Sequence, residues 1–240
     1  MTADGWAQAV RQQLGLGRLL PLGGPRDGAW IAEEAAGFAL RRAAHDLPGV
    51  RLGALRIALA DPARAREPVV PAPPSALPPG ALRVTADFAA TAAEPLPAVA
   101  DRLRTTLAEA ADRRLGLTVE EVDLRVTALL DEGAEPAPVR PQEPPSARES
   151  SDAAESQAAA AALTVPGVAG LTGTLGGLGR AVHVEERRAE AALPARHVRV
   201  EIAVYADHRA VVVARAVRKK VAKALPDHPT VAVLVTTVVG

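Results

Sequence analysis

The 240 residues carry 28 Lys+Arg against 28 Asp+Glu, a formal net charge of +0, so the chain as a whole has no electrostatic pull toward nucleic acid or a membrane surface. A charge-driven partner must meet a local patch. The absence of cysteine excludes a disulfide frame, a thiolate nucleophile and a cysteine metal site, and with 48% hydrophobic but only 2% aromatic residues the cores must pack Val, Leu and Ala.

Trp6, Val10 and Leu14 recur at helical spacing and predict a short amphipathic helix over 2–17, closed by Gly15 and Gly17. The start lacks the order of a signal peptide, and no stretch approaches the roughly 18 apolar residues of a membrane span, so a cytoplasmic location is expected. PLGGPRDG, from Pro21 to Gly28, is turn chemistry without the lysine of a phosphate loop. A helix is predicted over 29–44, with Ile31, Ala35, Phe38 and Ala39 on one face, stopped by Pro48 and Gly49. Residues 50–59 read as a strand. The proline- and alanine-rich stretch 61–80 reads as a long flexible connection, a hairpin loop with an insertion.

Leu82, Val84, Ala86 and Phe88 alternate with Arg83, Thr85 and Asp87, so 81–90 is a strand with one wet face. Leu96, Val99, Ala100, Leu103, Leu107 and Ala110 form the stripe of an amphipathic helix that ends near Gly116. A strand over 119–130 follows, and then a proline-rich linker over 131–148.

The remainder repeats the first unit. Pro48-Gly49-Val50 falls on Pro166-Gly167-Val168, RVTADFA on RVEIAVY, VADRLRTTLAEA on VARAVRKKVAKA and VDLRVTALL on VAVLVTTVV. Four landmarks in one order point to duplication. Each copy reads helix, strand, strand, strand, helix, strand, with the middle strand near 181–186 in the second copy and obscured by proline in the first. The last run, 230–239, is apolar on both faces and suits a central strand or an interface.

The expectation is therefore an α+β fold of two tandem small domains, each a mostly antiparallel sheet with helices on one face. The organisation is an N-terminal segment and turn over 1–28, a first repeat over 29–130, the linker over 131–148 and a second repeat over 149–240.

VPGVAGL, HVRVEIAVYADHRAVVVARAVRKKVAKAL and VAVLVTTVVG, all within 165–240, resemble the alkaline shock protein family of Gram-positive bacteria. The likeness is looser over 29–130. It implies a non-enzymatic, abundant cytoplasmic protein linked to envelope stress and held near the membrane by a partner. Lysine confined to Lys219, Lys220 and Lys223, with no asparagine anywhere, suits a high-GC bacterial genome.

No catalytic set stands out. The five histidines are scattered without the i, i+4 spacing of a helical zinc site, and only His183, His197 and Glu201 could meet across strands. No Gly-x-Ser-x-Gly occurs, and Glu120-Glu121 and Glu185-Glu186 read as solubilising edge charges. The glycine-rich GVAGLTGTLGGLG reads as a mobile hairpin. No cofactor, metal or small-molecule substrate is expected.

The last helix is the most informative. Ala210, Val213, Ala214, Val217, Val221 and Ala224 form its buried stripe, while Arg209, Arg215, Lys219, Lys220 and Lys223 gather opposite with Arg218 at the border and no acid among them. These six are the candidate partner-binding residues, a docking surface for an acidic partner or anionic lipid, with a protein, free or membrane-bound, as the expected partner; homo-oligomer formation is a separate expectation. Nucleic acid is the alternative, disfavoured because no aromatics are interleaved with the bases.

Overall fold

The computed structural model describes residues 18–131, 139, 143, 146–174, 179–187 and 195–240. The amphipathic segment expected over 2–17 and most of the linker expected over 131–148 lie outside these.

The fold is α+β. The elements are β1 (Leu19–Pro21), β2 (Ala29–Ala32), α1 (Glu33–His45), β3 (Val50–Leu59), β4 (Leu82–Thr91), α2 (Leu96–Ala110), β5 (Val119–Leu130), α3 (Ala153–Leu163), β6 (Val168–Leu171), β7 (Val182–Arg187), β8 (Ala195–Tyr205), α4 (Ala210–Ala224) and β9 (Thr230–Val239). One sheet runs β3-β4-β5; the other runs β1-β2-β9-β8, with β6 and β7 both on the far side of β8.

Both sheets are mixed, in contrast to the mostly antiparallel expectation. β3 and β4 are antiparallel but β4 and β5 parallel, and β8 pairs antiparallel with β6 and β7 but parallel with β9. The cause is the crossover through α2 or α4, since a strand-helix-strand connection returns the chain in the same direction.

The two units share their irregularities. Val84 pairs with Val122 in one, and Val198 with Val231 in the other, so RVTADFA matches HVRVEIA, two residues before the RVEIAVY expected from the sequence. The parallel ladder then slips between Phe88 and Ala89, and again between Ile202 and Ala203. At each slip a threonine hydroxyl donates to the adjacent strand, Thr127 to the Phe88 carbonyl and Thr236 to the Ile202 carbonyl, both at 3.3 Å. Such bulges recur within related structures as specific features.

The Pro-Gly-Val turns match as well. Gly49 and Gly167 take φ of 68° and 91°, the left-handed conformation that glycine adopts without a Cβ penalty after a proline at the preceding turn position. Their carbonyls accept from Thr91 N and Tyr205 N, each at 3.0 Å. The motif thus joins the end of a helix to the first strand and pins the end of the next.

Three expectations need correction. Residues 29–32 are a strand, and the helix starts at Glu33; β2 pairs in parallel with β9, a tertiary partner that overrides the local helical spacing. The strand order is helix, strand, strand, helix, strand, because β6 and β7 lie end to end along β8 as one interrupted strand. β3 is unbroken but carries a bulge between Leu52 and Leu55, facing the position where the glycine-rich stretch interrupts its counterpart. The proline-rich stretch 61–80 is irregular, as expected, but it is hydrogen-bonded to its surroundings rather than loose. Leu77 N donates to the Leu19 carbonyl at 2.8 Å, Val69 N to the Pro25 carbonyl at 2.9 Å, and Val70 is buried.

The units are interlocked. The buried residues of both form one cluster, and α1 packs on β3 and α2 of its own unit and on β9 of the other. Its first three turns are buried almost all round, as an apolar helix between two layers must be. β9 is a central strand, flanked by β8 and β2 and buried from Val231 to Val238.

Candidate partner-binding face

Helix α4 buries Ala210, Val211, Val213, Ala214, Val217 and Val221. Six cations lie on its outer side and about its N-terminus, and the structure splits them into two groups.

The three arginines are occupied within the chain. Arg209 Nη2 donates to Asp112 Oδ1 at 2.8 Å, and its Nε to the Asp112 carbonyl at 3.0 Å. Arg215 grips Asp27 through two bonds of 2.8 Å, the bidentate geometry that a planar guanidinium favours. Arg218 donates to the Arg26 carbonyl. Asp112 belongs to the first unit, and Arg26 and Asp27 to the turn between β1 and β2, so these arginines fasten α4 to the first unit and to that turn. Lys219, Lys220 and Lys223 remain exposed, and no described acid pairs with them. Lys223 lies in the last helical turn, where a cation complements the helix dipole.

The Asp27 clasp has a pH signature. Burial raises the Asp27 pKa, but the bonds from Arg215 and the Gly24 N–H, with the charges of Arg215 and Arg218, outweigh it and hold the carboxyl below the usual carboxylate range. A depressed folded-state pKa means stability that is present above the unfolded value, near 3.8, and lost as pH falls through the folded one. Arg215→Ala is therefore expected to cost about 1 kcal/mol at pH 7, solvent screening included, and nothing at a pH below the folded-state pKa. Urea denaturation of both proteins across pH checks this; an equal loss at both ends would contradict the assignment.

A second polar cluster lies inside the sheet, and the sequence showed only part of it. Glu201, fully buried, accepts from Thr174 N at 2.8 Å and Thr174 Oγ1 at 2.7 Å, and its Oε1 is 3.9 Å from His183 Nε2. Thr172 Oγ1 is 2.6 Å from Thr236 Oγ1. The described part of the glycine-rich stretch is therefore held to Glu201 through Thr174, while residues 175–178 of the mobile hairpin expected there lie outside the described residues. Burial, together with the charges of Arg199 and Arg180, holds the His183 imidazole below its ordinary pKa. His183 and Glu201 thus meet, but His197 bonds Thr230 Oγ1 at 2.9 Å instead. Among the described residues no three His, Cys, Asp or Glu side chains are placed to hold a metal. A threonine on each side of a glycine, facing an acid in an otherwise valine-rich strand, was the available signal.

The acidic pairs lie on the edge strands β5 and β7, with Glu121 bonded to Arg83, Glu120 3.6 Å from Arg64 and Glu185 3.9 Å from Arg199. An open cleft of about 260 Å³ lies beside the Glu120–Arg64 pair, lined in part by Asp61, Arg64, Arg66 and Glu120. Its charges are mixed and partly neutralise one another. Among the described residues, no helix is long and apolar enough to cross a membrane.

Compared with known protein families, curated proteins and solved structures, the chain matches none. What the structure defines is the class: an α+β protein of two interlocked units of like topology, with an exposed lysine trio on its last helix.

Proposed function

We propose that this chain is a non-enzymatic scaffold or stress-linked accessory protein that works by protein contact near the cell envelope, as its likeness to alkaline shock proteins implies. The observation that carries the reading is the division of the basic face. Lys219, Lys220 and Lys223 are left exposed on a helix whose arginines are spent on internal bonds. Three mobile ammonium groups on a rigid, well-packed helix make a local positive patch on a chain of net charge +0, suited to an acidic protein surface.

The test is capture of partners from separated membrane and soluble fractions after nuclease treatment, comparing the unaltered chain with Lys219→Glu/Lys220→Glu/Lys223→Glu. The triple variant is expected to stay folded, less stable by about 1 kcal/mol from the reversed charge in the last helical turn, and to lose the captured partner by about tenfold or more. A specific integral membrane partner supports the envelope role. Undiminished capture by the folded variant rejects the lysine surface. Nuclease-sensitive recovery with a steep salt dependence assigns the surface to nucleic acid instead.

A further inference from the structure

The outer edges of the two parallel ladders are treated differently. Beside β9 the sheet continues into β2, and Val231 to Val235, reading VAVLV, are all buried. β5 is the counterpart of β9, yet among the described residues it has β4 on one side and no strand on the other. It spans 12 residues and carries neither proline nor lysine, two of the devices that commonly blunt an exposed edge. Along this edge Arg104 Nε reaches the Val122 carbonyl at 3.4 Å from an exposed side chain. The apolar residues Val126 and Leu129 are 40% and 64% exposed.

The middle of β5 reads Val122-Asp123-Leu124-Arg125-Val126, the stretch between its two irregularities. Reversed, this run is its own complement. Laid antiparallel on a second copy about Leu124, it sets Leu124 on Leu124, Val122 on Val126, and Asp123 on Arg125 at both ends. Arg125 already holds Asp87 of the neighbouring strand through bonds of 2.8 and 2.9 Å, so Asp123 of the second copy would continue a row alternating in sign across the sheet. Opposite charges and apolar residues placed directly across from one another are the pairs that stabilise an antiparallel ladder.

We propose that β5 is a homodimer seam. Two copies pair antiparallel through residues 121–127, joining two three-stranded sheets into one of six, in an isologous interface related by a two-fold axis. The proposal is independent of the lysine surface on α4.

Sedimentation velocity of the full chain at about 50 µM is expected to give a dimer. Asp123→Arg and Arg125→Asp each turn both cross-pairs repulsive, and each alone is expected to weaken dimerisation about a hundredfold. Mixed one to one, they restore the dimer, because one copy then carries two arginines in the run and the other two aspartates. Both positions are exposed, and circular dichroism confirms folding. A monomeric unaltered chain, single variants that remain dimeric, or folded variants that fail to pair when mixed would each overturn the seam.

Discussion

Replacing Glu201 with alanine is expected to lower the unfolding free energy by about 3 kcal/mol. The carboxylate is fully buried and takes both the N–H and the hydroxyl of Thr174. Its loss strands a buried backbone donor and a buried hydroxyl, and it removes the acid lying 3.9 Å from His183. Unsatisfied donors in a dry site carry the full desolvation cost, whereas an isosteric amide still accepts. Glu201→Gln should therefore cost only about 1 kcal/mol. Denaturant titration with a shared slope reads both. An alanine variant within 1 kcal/mol of the unaltered chain would show that the glycine-rich stretch does not depend on this acid.

Gly116→Ala is expected to cost about 3 kcal/mol or more. Gly116 ends the wide turn Ala111–Leu115 that follows α2 and has φ of 86°. A Cβ there would fall 2.2 Å from Val211 Cγ1 and 2.7 Å from Val211 Cβ. Val211 is buried at the start of α4 and is β-branched, so it has little room to turn away. Gly116 also receives the Gly23 N–H at its carbonyl, 3.2 Å, which places it where the β1–β2 turn, the first unit and α4 converge. Gly49→Ala supplies the contrast. Its φ is 68°, but there only Thr91 Oγ1 is close, at 2.7 Å, while Thr91 Cβ stands 3.7 Å away, so a change of side-chain rotamer relieves the contact without moving the backbone, and about 1 kcal/mol is expected. If the two alanine variants unfolded at the same denaturant concentration, steric closure at the junction would not be what Gly116 provides.

Much of the local structure was legible because it depends on neighbours in sequence. The alternation through Leu82, Val84, Ala86 and Phe88 marked β4, and the helical period through Val213, Val217 and Val221 marked α4. The repeated Pro-Gly-Val pointed to matching turns, and both glycines take positive φ.

Tertiary structure decided the rest. Ile31 sits at a position that fits a helical face, yet it and Trp30 form a strand because β9 presents an edge to them from the far end of the chain. The polar face of α4 announced six equal cations. Only the approach of Asp112, Arg26 and Asp27 divided them into arginines that hold the fold and lysines left at the surface. Burial patterns follow from a period of 2 or 3.6 residues and so can be read along the chain, whereas the partner of a sheet edge or of an arginine is set by which distant segments the packed core brings within about 3 Å.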